Sequence, residues 1–109
     1  MTKTEQGIPI NLPVRLWGMD LHGRFFDIWS RTADITPAGA RIVGMPFPLR
    51  RGAIVGVDCG FSRAGFRVSW VGDAGTPHQG QVRIHCIEPT KCVWGVPGKH
   101  SAGELPGLP

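Results

Sequence analysis

The alternation of apolar and polar residues along the chain predicts short β-strands. Phe66, Val68 and Trp70 fall on one face of a run of residues, with polar side chains between them. The segment 81–87 alternates in the same way, with Val82, Ile84 and Cys86 facing in and Gln81, Arg83 and His85 facing out. A period of two over this length is typical of a half-buried strand, and no window of ten residues has a good helical period. We therefore expect an all-β protein in which Trp70 points inward.

Short β-rich runs separated by Gly, Pro, Asp or Asn recur about every ten residues, a spacing typical of a small sandwich or barrel. Six such strands lose their edges only by closing, or nearly closing, into a barrel. The six runs are Val14–Trp17, Arg24–Ala33, Ala40–Val43, Ala53–Cys59, Gly65–Val71 and Gln81–Ile87. The side chains expected inside are Phe26, Ile28, Val55, Val57, Phe66, Val68, Trp70, Val82 and Ile84.

The chain of 109 residues is expected to form one domain with loose ends. Prolines 9 and 13 exclude a helix at the start, so residues 1–12 are interpreted as an extended lead-in. Residues 13–96 are interpreted as the barrel. Residues 97–109 have no apolar period and are expected to be a flexible tail. The 16 Gly and 10 Pro residues also argue against a helical bundle.

The net charge of +4 fits a phosphate-bearing partner such as a nucleotide or a nucleic acid. Nine of the twelve basic residues are Arg, but they are scattered, and only Arg50 and Arg51 are adjacent. The alternative interpretation is an ordinary solvated surface. The charge alone does not distinguish a phosphate-bearing partner from an ordinary solvated surface.

Catalysis and metal binding are not expected from this sequence. The motifs of serine hydrolases, zinc metalloproteases and P-loop proteins are absent, and the four His residues are far apart. Three Cys without close pairs suggest neither a zinc site nor a disulfide framework, and Cys86 is interpreted as a core residue. With no apolar stretch long enough to span a membrane and no signal sequence, we expect a cytoplasmic location.

The segment 34–39, Asp-Ile-Thr-Pro-Ala-Gly, is the strongest candidate for a binding site. The segment is interpreted as a turn at one mouth of the barrel, where Asp34 and Thr36 stay partly reachable by solvent. The carboxylate of Asp34 could then accept two N–H bonds from a guanine edge, and the hydroxyl of Thr36 could donate beside it. Gly39 would leave room for a planar ring. The alternative is structural, because Asp, Thr and Gly commonly satisfy the backbone of turns.

Several short segments, in this order and spacing, resemble the PilZ domain, the bacterial receptor module for cyclic di-GMP. The resemblance covers about residues 13 to 96 and lies in PVRLWGMD (13–20), GRFFD (23–27), TADITPAGARI (32–42), LRRGAIV (49–55), FRVSWV (66–71) and VWGV (93–96). It implies a six-stranded antiparallel β-barrel, in agreement with the strand count, and a role in cyclic di-GMP signalling.

The family binds its ligand with two motifs, of which this chain retains one. Asp34, Thr36 and Gly39 match Asp/Asn-x-Ser-x-x-Gly, with Thr in place of Ser. The second motif, Arg-x-x-x-Arg before the first strand, is missing, because residues 1–12 contain Lys3 but no Arg. Arg15 and Arg41 could substitute in part, although both also fit outward-facing strand positions.

The resulting hypothesis is a PilZ-like signalling domain that binds cyclic di-GMP weakly or not at all and acts by contact with a partner protein. No cofactor, enzymatic activity or membrane contact is expected. One alternative is a working receptor that uses Arg15, Arg41 or Lys3 as phosphate clamps. The other is a small barrel that binds single-stranded nucleic acid through Arg and Trp side chains, which requires both on one outer face.

Overall fold

Six antiparallel strands close into a barrel in the computed structural model, which describes residues 7–60, 62–88 and 94. The all-β, six-stranded antiparallel barrel predicted from the sequence is thereby confirmed. The strands are β1 (Pro13–Met19), β2 (Phe25–Thr36), β3 (Gly39–Val43), β4 (Ile54–Cys59), β5 (Ser62–Val71) and β6 (Val82–Cys86).

The order of strands around the barrel is β1-β2-β3-β6-β5-β4, and β4 closes the barrel on β1. Hairpins join β1 to β2, β2 to β3, β4 to β5 and β5 to β6. The chain crosses over between β3 and β4, so that β6 enters between β3 and β5. Residues far apart in sequence therefore become neighbours on the outer surface of β3, β6 and β5.

The interior is filled by alternating apolar side chains from all six strands. Most of the predicted core is confirmed as buried, and Ile28 is partly buried against it. Cys86 is buried as predicted. The confirmed residues are Phe26, Val55, Val57, Phe66, Val68, Val82 and Ile84. Trp94, beyond β6, is also buried, and its ring lies 5.6 Å from that of Phe66.

The prediction that Trp70 points into the barrel is wrong. The pairing of β5 with β6 shifts between Val68 and Trp70, so Ser69 is an extra residue in β5. Such a bulge reverses the side on which the following residues lie. Trp70 pairs with Arg83, an exposed residue of β6, and its ring meets His78 edge-on at 5.8 Å. Trp70 thus lies half-buried on the outer surface.

The described part of the lead-in, residues 7–12, lies along β2. Ile8 and Ile35 exchange two backbone hydrogen bonds, with N···O distances of 2.7 and 2.9 Å. The buried hydroxyl of Thr32 donates to the carbonyl oxygen of Ile10 at 2.5 Å and accepts from the backbone N–H of Leu12 at 2.9 Å. These bonds hold the segment against the second half of β2.

The loop between β2 and β3 is shorter than the sequence suggested. We expected a turn over residues 34–39, but β2 continues through Thr36 and β3 begins at Gly39, so only Pro37 and Ala38 form the turn. The pairing with β3 shifts between Thr32 and Asp34. Asp34 is therefore a strand residue next to a bulge, and the prediction that it lies in a turn is wrong.

Candidate functional site

Asp34 is buried, with only 8% of its surface exposed. Its Oδ2 accepts a hydrogen bond of 2.8 Å from Nε of Arg41, which is the residue opposite it on β3. We expected a carboxylate reachable by solvent at the mouth of the barrel, and this expectation is wrong. A carboxylate held behind a guanidinium cannot accept two N–H bonds from a base unless that ion pair opens.

The second oxygen of Asp34 is also enclosed. Oδ1 is buried and has no hydrogen-bond partner among the described residues, although Nη1 of Arg83 lies 3.8 Å away. Gly7 in the lead-in covers the carboxylate so closely that a Cβ built on it would lie 2.9 Å from the Cβ and Cγ of Asp34. The lead-in and the two Arg residues thus shield Asp34 from bulk water.

Thr36 and Gly39 face each other at the ends of β2 and β3, and Thr36 is partly exposed. Gly39 pairs with His85 of β6 and is buried. A Cβ at position 39 would collide with the carbonyl oxygen of Ile84. The absence of a side chain at Gly39 therefore permits close packing of β3 against β6, which is a structural reason for glycine at this position.

Arg15 lies away from this group, on the outer face of β1. Its Nε and Nη2 bind the two carboxylate oxygens of Asp27 at 2.7 Å each. The hydrogen bond from Arg15 lowers the pKa of Asp27. Arg15 pairs with Trp29, which precedes Asp34 by five positions of β2, or roughly 17 Å of strand. The structure does not bring Arg15 and Arg41 together, and Lys3 lies outside the described residues.

A row of three outward side chains crosses β3, β6 and β5 beside Asp34. Arg41 pairs with Arg83, and Arg83 pairs with Trp70, so the three lie side by side on neighbouring strands. Together with His78 and Gln81 they line a shallow cavity of about 400 Å³. We call these five residues the Trp70 pocket.

Sequence reasoning identified only Arg41 of the Trp70 pocket. Alternation placed Arg83 outside correctly, but it could not show which strand lies beside β6. The bulge at Ser69, which turns Trp70 outward, leaves no signal in the hydrophobic pattern. Gln81 accepts a 3.0 Å hydrogen bond from Nη1 of Arg41 across 40 positions of sequence, a contact that only the crossover of strands creates.

Exposed apolar side chains form a second surface, on the outside of β2, β1 and β4. Phe25 is 66% exposed and lies opposite Met19, and Trp29 is 69% exposed. Ile54 of β4, the strand beside β1, is also exposed. We call Met19, Phe25, Trp29 and Ile54 the apolar face. Large exposed aromatic side chains of this kind mark interaction surfaces when they cluster.

The described part of the chain contains neither a cluster of metal-ligand side chains nor a membrane-spanning helix. Within residues 7–60, 62–88 and 94, His, Cys, Asp and Glu form no group of three that could hold a metal ion. Those same ranges contain no helix with the length and apolar character needed to cross a bilayer.

Comparison with known proteins found no match. No protein-family model fits this chain, and no curated protein or solved structure is significantly similar to it. The closed barrel is compatible with the resemblance noted in the sequence, but a fold of this kind hosts many functions. The Trp70 pocket and the apolar face are the two surfaces that bear on function.

Proposed function

We propose that this chain is a PilZ-like bacterial signalling domain that binds cyclic di-GMP weakly or not at all and acts by contact with a partner protein. The burial of Asp34 behind Arg41 is the observation that carries the proposed loss of cyclic di-GMP binding. The apolar face supports the proposed contact with a partner protein.

The proposal that cyclic di-GMP binding is lost rests on the groups that remain. Arg15 is engaged by Asp27 on another part of the barrel, and residues 1–12 contain no Arg. Each charge-assisted hydrogen bond contributes about 1.5–3 kcal/mol. Loss of two or three such bonds moves a micromolar dissociation constant to about millimolar or weaker.

The titration that tests this proposed loss uses the whole chain and cyclic di-GMP in a calorimeter. We expect no saturable binding at tens of micromolar ligand, because the dissociation constant expected without the lost bonds is about millimolar or weaker. A low-micromolar dissociation constant would contradict the proposal. It would favour the alternative of a working receptor in which Arg41 leaves Asp34 to clamp a phosphate.

Contact with a partner protein is supported by the exposure of two aromatic side chains, Phe25 and Trp29, on the outer face of β2. Aromatic side chains are enriched at the centres of protein interfaces. The test compares crosslinked complexes formed in a bacterial lysate by the wild type and by a Phe25→Gln, Trp29→Gln double variant. The matched control is Ile87→Gln, which replaces a 40% exposed apolar residue outside the apolar face.

We expect the double variant to lose a complex that the control retains. If both variants retain every complex, or lose the same ones, the apolar face is not the contact surface. Dispersed amide spectra of both variants would verify that they remain folded.

One observation favours a second candidate function, the binding of single-stranded nucleic acid. That alternative needs an aromatic side chain on the same outer face as Arg residues, and Trp70 lies beside Arg83 and Arg41. Stacking of bases on an aromatic ring next to basic groups is the usual arrangement in such proteins. Binding of a short oligonucleotide that weakens steeply with added salt would support it.

A further inference from the structure

We propose that a second copy of this chain covers the apolar face, and that the two barrels form a symmetric dimer with the outer surfaces of β1 and β4 at its centre. The inference rests on the function proposed above, because it names the partner in the proposed protein contact. It commits that contact to self-association, which can fail while contact with a different protein is retained.

The outward side chains of β2, β1, β4 and β5 stand in rows that cross these four strands. In the first row Phe25 pairs with Met19, and Ile54 pairs with Arg67. Continuing the register of β1 with β4 by two residues sets Met19 beside Ile54. The first row therefore has three apolar side chains in succession and ends in a guanidinium group on β5.

The second row lies four residues further along β1 and contains the charged side chains. Arg15 pairs with Trp29 on one side and with Asp58 on the other, and Asp58 pairs with Arg63. Between the two rows lies Trp17, which is half-buried, and the guanidinium of Arg63 is 5.3 Å from the centroid of its ring. The surface thus carries aromatic, aliphatic and charged groups in a fixed order.

This order is complementary to itself. A symmetric dimer brings the same patch of both copies together. If the two-fold axis runs parallel to β1 and β4, midway between them in the plane of the interface, each row meets its own reverse. Met19 then faces Ile54 of the second copy, and Arg15 faces Asp58 of the second copy. An axis at right angles to the strands would instead set Arg15 against Met19, and Asp58 against Ile54.

The ends of the rows also match under this symmetry. Phe25 faces Arg67 of the second copy, and Trp29 faces Arg63 of the second copy. A guanidinium group over an aromatic ring is a favourable contact. Because a barrel is convex, β2 and β5 curve away from the second copy, and these long side chains can span the wider gap.

The charge of the surface favours a copy of the same chain over a strongly charged partner. Arg15 is bound to Asp27, and Arg63 is bound to Asp58, so four of the charges cancel. Arg67 adds one positive charge at the edge, and most of the net charge of +4 lies elsewhere. Two copies can therefore approach here with little of the repulsion that their like net charges produce on other sides.

The area of the apolar face is sufficient for a dimer. Phe25 and Trp29 are mostly exposed, and Met19 and Ile54 are each about half exposed. With roughly 150–250 Å² for a whole aromatic side chain, the four residues present roughly 450 Å² of apolar surface. Apolar atoms supply about 60% of an interface, so each copy would bury roughly 750 Å², close to the roughly 800 Å² of a stable interface.

Sedimentation equilibrium of the whole chain measures its oligomeric state. We expect monomer and dimer in exchange, with a dissociation constant on the order of 10 μM. Met19→Lys and Ile54→Glu each place a charge against an apolar side chain of the second copy, and each should weaken the dimer about tenfold or more. Both residues are exposed, so both variants should fold.

An equal mixture of these two variants provides the sharper test. In the mixed dimer the introduced ammonium group of one chain faces the introduced carboxylate of the other, and the remaining Ile54 and Met19 meet as in the wild type. We expect the mixture to dimerise within about threefold of the wild-type dissociation constant, although neither variant does so alone.

Ile8→Lys is the matched control, because Ile8 is also about half exposed but lies on the lead-in beside the second half of β2. It adds the same charge as Met19→Lys and should change the dissociation constant of the dimer less than about twofold. Equal weakening by Ile8→Lys and Met19→Lys would overturn the proposal, because added net charge alone would then account for both.

Three further results would overturn the proposal. The first is a wild-type chain that remains monomeric at about 500 μM, well above the expected dissociation constant. The second is a dimer that Met19→Lys and Ile54→Glu both retain, which would place self-association on another surface. The third is a mixture of the two variants that stays monomeric, since Met19 and Ile54 would then not face each other.

Failure of self-association can be told apart from failure of the proposed function. A monomeric chain whose crosslinked complexes are lost in the Phe25→Gln, Trp29→Gln variant would still use the apolar face, but for a different protein. A monomeric chain whose complexes are unaffected by that variant would contradict both proposals.

Discussion

Asp34 has a structural role that its position in a ligand motif conceals. Its carboxylate lies between two guanidinium groups and beneath Gly7, and it separates Arg41 from Arg83. Removing one member of a buried ionic group leaves the other charges without compensation, which costs more than loss of a surface pair. Asp34, which the sequence predicted to contact a ligand, thus links β2 to β3 and β6 through its contacts with Arg41 and Arg83.

Replacement of Asp34 by Ala should destabilise the barrel by about 1.5–3 kcal/mol, because charged hydrogen bonds are lost and two Arg residues are left opposed. If Asp34 only satisfied the backbone of a turn, the same substitution would cost about 1 kcal/mol. Urea unfolding of the variant measures the difference. Asp27→Ala, which breaks the exposed pair with Arg15, is the control and should have a smaller effect. Equal effects would mean that burial of Asp34 contributes nothing.

Stability should decrease in acid through Asp20 and Asp27. The backbone N–H of Arg24 lowers the pKa of Asp20, and the side chain of Arg15 lowers the pKa of Asp27. Since both groups are more acidic in the folded state, their contribution is present above the ordinary Asp pKa of about 3.9. It is lost as the pH falls through the folded-state values.

The test of this pH dependence compares urea midpoints at about pH 6 and about pH 3, on either side of the ordinary Asp pKa. Asp27→Asn should lose less stability between the two values than the wild type does. Asp73→Asn is the control, because the side chain of Asp73 makes no hydrogen bond among the described residues. If the urea midpoint of Asp27→Asn changed with pH as much as that of the wild type, Asp27 would not contribute to the pH dependence of stability.

At the scale of strands, hydrophobic alternation predicted well wherever a strand is regular. β6 alternates without interruption, and its inward residues Val82, Ile84 and Cys86 are buried as expected. Prediction failed at the two bulges. In β2 the shift next to Asp34 was interpreted as the start of a turn, and in β5 the shift at Ser69 reversed the side of Trp70. Bulges are set by backbone pairing with a neighbouring strand, which a hydrophobic pattern does not encode.

The bulge in β5 leads to a comparison of two aromatic residues on the same strand. Phe66, which is 1% exposed, precedes the bulge, and Trp70 follows it. Phe66→Ala should cost about 3–5 kcal/mol, as expected for a fully buried ring. Trp70→Ala should cost only about 1–2 kcal/mol, because part of the indole is already in contact with water. Guanidinium unfolding curves measure both, and a larger loss for Trp70→Ala would place its ring in the core.

At the scale of the molecule, the barrel recruits apolar residues from beyond its strands. Trp94 lies eight positions after the end of β6 and is buried against Phe66. Met45 and Leu49, from the connection between β3 and β4, are also part of the core. A small barrel buries a limited area, so these contributions are a considerable share of its stability.

Replacement of Trp94 by Ala should therefore lower the free energy of unfolding by about 3–5 kcal/mol, a large part of the total for a small domain. Thermal unfolding followed by circular dichroism measures the loss as a lower Tm. The control is Trp29→Ala, whose ring is 69% exposed. A Tm unchanged by Trp94→Ala would show that the ring is not an integral part of the core.

Closure of β4 onto β1 limits how any other molecule can attach to this domain. A sheet with a free edge can accept a peptide as an additional strand, bound through main-chain hydrogen bonds that tolerate many sequences. In this barrel each of the six strands has a partner on both sides. Where the strands are paired on both sides, recognition must therefore rely on side chains, and specificity for a partner can be gained or lost there by single surface substitutions while the backbone is unchanged.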